Sequence, residues 1–116
     1  MKINLEIARI CFEANKQYCS DNGIFHTNQT WNEMSAEYKE GVTAGVAQVI
    51  ANPKIKPEQM HKNWLDSKEA DGWKFGKTND AVNKTHPNMV PFEKLSKEEQ
   101  FKDKLFIKTV KAEIAK

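Results

Sequence analysis

The segment WNEMSAEYK, Trp31–Lys39, and the segment FEKLSKEEQ, Phe92–Gln100, follow one pattern: aromatic, two variable positions, apolar, Ser, one variable position, Glu. Each precedes a helical apolar stripe. Each also follows a predicted helix that ends near a turn, Asp21-Asn22-Gly23 in the first case and Asp71-Gly72 in the second. The echo predicts two helix–loop–helix units packed about a pseudo-two-fold. A shift of 52 places Phe12 on Trp64 and Arg9 on His61. On this reading residues 1–53 are a degenerate N-terminal half and residues 54–116 are its counterpart, within a single domain.

Working outward, Ile7, Ile10, Cys11, Ala14 and Tyr18 have helical spacing and predict a helix from about Leu5 to Ser20. SDNGIFHTNQT reads as a loop, because Asn-Gly favours positive φ. Thr30 and Glu33 have capping-box spacing just ahead of a second helix, whose stripe is Met34, Tyr38, Val42, Val46, Val49 and Ile50. Gly41 and Gly45 lie inside it. Each weakens the helix by roughly 1 kcal/mol against Ala, so close packing against another backbone is expected there. ANPKIKP is the joint: Pro53 ends one helix and Pro57 suits the first turn of the next. A third helix runs from about Pro57 to Ala70 with Met60, Trp64 and Leu65 as its apolar side, and Gly72 ends it. The segment from Trp73 to Phe92 reads as an irregular arm with a short hairpin, since Pro87 and Pro91 forbid a long helix. Ser96 and Glu99 open a final helix carrying Phe101, Leu105, Phe106, Val110 and Ile114. The predicted class is mainly α: four helices in two pseudo-symmetric units, with a hairpin-like arm between the last two.

Composition bounds the function. Apolar residues are 39% of 116 and mean hydropathy is −0.74, so the core is thin and three Trp and six Phe must do much of the burying. A net charge of +2 is too mild for a polymeric nucleic-acid partner. The N-terminal MKINLEIARICFEANK has no long apolar run, so neither a signal peptide nor a membrane segment is expected, and the reading is cytoplasmic. Cys11 and Cys19 lie eight apart on one helix, about 12 Å at 1.5 Å per residue. That exceeds disulfide reach, and free thiols fit a reducing compartment. His26, His61 and His86 with the two cysteines show no zinc spacing. No nucleophile elbow and no glycine-rich phosphate loop is present. Neither a metal, a cofactor nor catalysis is expected.

The remaining candidate is an aromatic face. His61, Trp64 and Lys68 sit at i, i+3 and i+7 of the third helix. An indole beside a cation, opposite a second aromatic, can clamp a purine, and stacking contributes ~1–3 kcal/mol per base. The competing reading makes Trp64 a core filler with Lys68 lying over it, and spacing alone favours that reading.

From Met60 to Asp103 the chain resembles the ryanodine-receptor repeat, the RyR domain. The residues that carry the resemblance are His61 and Trp64; Gly72, Trp73, Phe75 and Gly76; His86, Pro87, Val90, Pro91 and Phe92; Leu95; and Asp103. Phe75 stands where the family has Tyr, Met89 where it has Leu, and Asn88 where Cys is frequent. The first half, with ARICFEANKQYC, resembles small stand-alone bacteriophage and prophage members. The resemblance implies binding without turnover: an adenine-type nucleotide stacked by Trp64, with Lys68 at phosphate and Asp103 as a polar contact. Phe12 and Arg9 would serve from the first half. For a phage protein the implied role is sequestration of a host immune messenger such as a cyclic nucleotide. The alternative is a protein–protein adaptor using the same aromatics. The thin core and the glycine-bearing second helix are compatible with a homo-oligomer.

Overall fold

The computed structural model describes residues 3–116 and contains four α-helices among them: α1 (Asn4–Asp21), α2 (Ala36–Ala51), α3 (Pro57–Ala70) and α4 (Lys97–Ile114). The mainly α reading holds. One-turn 3₁₀ segments, Trp31–Glu33 and Phe92–Lys94, precede α2 and α4. Two compact units result, one comprising Met1–Ile55 with Lys104–Lys116, the other Lys56–Asp103. One division falls inside ANPKIKP, between Ile55 and Lys56, and the other inside α4, between Asp103 and Lys104.

In the first unit α1 packs on α2. Ile7, Ala8, Cys11, Phe12 and Cys19 of α1, Val46 and Val49 of α2, and Ile107 and Val110 of α4 are all buried. Each such aliphatic side chain contributes about 1.5–3 kcal/mol on burial. Cys11 and Cys19 are free. Burial, with Glu113 beside it, pushes the Cys11 thiol up to about 12, so this sulfur is an inert core residue. Gly45 is buried, but Gly41 is exposed, and a Cβ built there meets nothing within 4 Å. The expected close packing does not apply to Gly41.

The Thr30–Glu33 capping box forms: Glu33 Oε1 accepts the Thr30 N–H at 2.9 Å. It opens the 3₁₀ turn, however, and not α2. The backbone turns extended at Met34, and Ser35 then caps α2 by accepting the Tyr38 N–H at 3.1 Å. Ser96 caps α4 in the same way, accepting from the Glu99 N–H at 3.2 Å.

The echo recurs in hydrogen bonds, at a register the sequence reading missed. α1 ends with Ile24 N–H donating to the Cys19 carbonyl at 2.8 Å and Gly23 at φ +66°. α3 ends with Trp73 N–H donating to Lys68 at 2.9 Å and Gly72 at φ +88°. Both are Schellman ends, where a left-handed glycine lets the chain turn back on the last carbonyls. Cys19 thus answers to Lys68, 49 positions on, and Phe12 falls on His61, not on Trp64. Beyond the turns, Trp31 answers to Phe92 and Ser35 to Ser96, 61 positions on. Ring contacts agree: Phe12 meets Trp31 at 5.5 Å and His61 meets Phe92 at 6.1 Å. The second copy therefore has a connection twelve residues longer, and those residues build the arm.

The arm is not a hairpin. β1 (Lys74–Phe75) and β2 (Thr85–His86) pair in parallel, Lys74 with Thr85 and Phe75 with His86. The chain can return parallel because a tight reversal intervenes. Asp80 and Thr85 bridge antiparallel, and the Asp80 carboxylate accepts from the N–H groups of Val82 and Asn83 at 3.0 and 3.2 Å. Those bonds hold its pKa below the ordinary carboxylate value, with the Asn83 side-chain amide the largest cause. Lys84 closes the turn at φ +53°. Its Nζ donates to the Asp71 carbonyl at 2.7 Å, fastening the arm to the C-terminal end of α3.

Candidate functional site

In the second unit the buried residues include one polar side chain, His61, with only Met89 and Leu95 as its companions among buried hydrophobics of the arm and the turn before α4. α3 supplies His61 and Trp64 one turn apart. His61 Nε2 lies 2.6 Å from the Val90 carbonyl. A carbonyl only accepts, so this nitrogen carries the proton. The imidazole stacks on Trp64 at 5.6 Å and 25°, and meets Phe92 edge-on. His61 thus acts as packing and as a tether for the arm.

Trp64 is half-buried. Besides His61 it meets His86 at 5.0 Å and 76°, an edge-to-face arrangement. The arm brings His86 there through the β1–β2 pair. Asn88 then holds the imidazole: its backbone N–H donates to His86 Nδ1 at 3.0 Å, and its side chain donates to Glu99 Oε2 at 3.2 Å. The other Glu99 oxygen takes Lys102 at 3.0 Å. Burial, then Lys68, lower the pKa of His86 against an upward pull from Glu99, so the ring is neutral at physiological pH.

Lys68 does not lie over Trp64. Its Nζ sits 4.4 Å from the centre of the Trp73 ring, a cation–π contact, while its carbonyl receives the Trp73 N–H. Trp73 is half-buried and anchors the start of the arm through this double engagement. Asp103 is half-buried near Glu99, and burial first, Glu99 second, raise its carboxyl to about 7 despite Lys102.

The structure gathers His61, Trp64, Lys68 and Asp103 in one unit, while Phe12 and Arg9 belong to the other. Phe12 is 2% exposed and enclosed by Trp31, His26 and Tyr38. It is a core ring with no open π face, because its place in the repeat is that of buried His61. Arg9 is exposed on α1. At the structural register the first copy offers Asn15 for Trp64, Cys19 for Lys68 and Val42 for Asp103. Only the second copy carries the cluster. His86, Asn88 and Glu99 were not singled out from the sequence as site residues. The signal was the position of His86 and Asn88 in the arm motif, next to the proline that stiffens it.

Asp103 yields a pH dependence. A carboxyl whose pKa is raised on folding adds no penalty below its unfolded value near 3.9, and stability falls as pH climbs to about 7. Asp103→Asn is expected to stabilise the protein by about 1–3 kcal/mol at pH 8 and by nothing at pH 4. Urea midpoints of both proteins across that range check this; a gain equal at both pH values refutes the assignment.

Among the described residues no group of three or more His, Cys, Asp and Glu could hold a metal ion, and no helix is long and apolar enough to cross a membrane. A comparison with curated proteins returns no match. The sequence profile of the RyR domain matches residues 48–115, from the end of α2 through the joint, α3, the arm and α4. That span contains every residue of the cluster around Trp64 and covers more than half of the sequence, so the chain belongs to the RyR domain family.

Proposed function

We propose that the protein is a non-catalytic binding module for a nucleotide or nucleotide-derived signal, held at Trp64. The observation that carries this reading is the half-buried indole flanked by two imidazoles, with Lys68 electrostatically close to His86. A flat, electron-rich ring beside an imidazole N–H donor and an ammonium suits a heteroaromatic base attached to phosphate. Phe12 and Arg9 are not part of this proposal. In the role we favour, a phage-encoded protein in the host cytoplasm sequesters an immune messenger, for which binding without turnover suffices.

A ligand that binds only the folded state raises stability by about 2.7 kcal/mol at 100 times its Kd. Thermal shifts with ATP, a cyclic dinucleotide and ADP-ribose are therefore expected to reveal at least one stabilising compound. Trp64→Ala, with its helical circular dichroism retained, is expected to abolish that shift. No shift with any of the three, or one that survives Trp64→Ala, refutes the reading.

A second reading, a protein–protein adaptor, is favoured by the arm. Phe75 and Val82 are 57% and 91% exposed there, and exposed apolar side chains are frequent anchors of interfaces. Phe75→Ser with Val82→Ser leaves nucleotide binding intact on the first reading, and removes partner capture on the second.

A further inference from the structure

Two histidines touch Trp64, and they differ in what their ring nitrogens have left to give. We propose that His86 is the specificity-determining residue of this site: its Nε2–H donates to an in-plane acceptor nitrogen on the edge of the purine that Trp64 stacks. This rests on the nucleotide-binding reading above.

The argument begins with the tautomer. Asn88 N–H donates to His86 Nδ1 at 3.0 Å, and a nitrogen that accepts carries no proton. The neutral ring must therefore hold its proton on Nε2. Burial and Lys68 disfavour a second proton. Among the described residues Nε2 has no hydrogen-bond partner, whereas the Nε2–H of His61 is consumed by Val90 at 2.6 Å. His86 is thus a single-proton donor held in one tautomer by the protein.

Its placement is equally fixed. The His86 carbonyl accepts from Gly76 N–H at 3.4 Å and Met89 N–H at 3.3 Å, while the Asn88 side chain ties the same turn to Glu99. The imidazole stands at 76° to the indole with centroids 5.0 Å apart. A plate lying against the indole is parallel to it and therefore perpendicular to this imidazole; in the proposed complex the Nε2–H is directed at the rim of that plate. Purines carry unprotonated nitrogens on that rim. A donor with no partner of its own discriminates for such an acceptor and against a C–H at the same position.

The test is calorimetric titration of the full chain with ATP and with its 1-deaza, 3-deaza and 7-deaza analogues, each of which replaces one ring nitrogen by C–H. Wild type is expected to bind one analogue roughly tenfold more weakly than ATP, the factor that a neutral hydrogen bond supplies. His86→Phe keeps an aromatic edge but no donor, and is expected to bind ATP and that analogue equally. His86→Gln, whose amide N–H reaches near the Nε2 position, is expected to restore much of the discrimination. Equal binding of all three analogues by wild type, or discrimination that survives His86→Phe, overturns the role of His86 while leaving Trp64 as the stacker. If wild type does not bind ATP, the stacking of adenine falls and the inference falls with it.

Discussion

His61→Ala is expected to lower stability by about 3 kcal/mol, read as a fall in the urea midpoint followed by tryptophan fluorescence. Three contributions combine. The buried imidazole leaves a cavity in a unit with few buried apolar side chains. The Val90 carbonyl loses its 2.6 Å donor, and orphaning this part-buried acceptor removes about 1 kcal/mol or more. Trp64 loses its stacked neighbour. His61→Phe separates the parts: it refills the volume but cannot donate to Val90, so it is expected to recover about half of the loss. A midpoint within error of wild type for the alanine variant would show that the tether to Val90 is dispensable.

Gly76→Ala is expected to dislodge the arm. The backbone of Gly76 is not left-handed, so alanine meets no conformational penalty; the obstacle is space. A Cβ there would stand 2.5 Å from Thr85 Cβ, 2.9 Å from Cγ2 and 3.0 Å from Oγ1. Thr85 Cβ is bonded directly to the backbone, so no rotamer change relieves the overlap and the two strands must part. Overpacking of this kind destabilises by about 1–3 kcal/mol. Separation also displaces His86, and amide protection at Lys74 and Gly76 is expected to fall, with any thermal shift by the proposed nucleotide reduced alongside it. Thr85→Gly added to Gly76→Ala removes the clashing atoms and is expected to restore the protection. Protection unchanged in the single variant would mean that the strands accommodate the methyl group.

The helices were legible because periodicity and breakers agree. The expected limits of the third helix, Pro57 and Ala70, coincide with the observed ones, since proline at the first turn and Asp71-Gly72 past the end leave little freedom. The start of α2 was less clear because two cap signals, Thr30 and Ser35, lie within five residues. The first wins a single turn and the second wins the helix. The arm was not legible: two-residue strands carry no period, and a parallel return depends on the Asp80 reversal and on Lys84 reaching Asp71. The place of Trp64 on α3 was legible, but its half-burial was not, since spacing alone favoured a core filler. The pairing of Phe12 with Trp64 failed because a shift of 52 matches aromatic residues, whereas the two glycine-ended helices set the register at 49.

The unequal connections of the two copies also bear on how such a cluster can arise. From Ile24 to Trp31 the chain spans seven positions, and from Trp73 to Phe92 nineteen. Loop-closure entropy grows only as the logarithm of length, so the longer excursion disfavours closure by about 1 kcal/mol. A helix–loop–helix repeat can thus lengthen one connection, leave its caps and stripes untouched, and gain a loop free to diverge. Here that loop brings an imidazole to the edge of a half-buried indole, while the shorter copy sets His26 against the buried ring of Phe12.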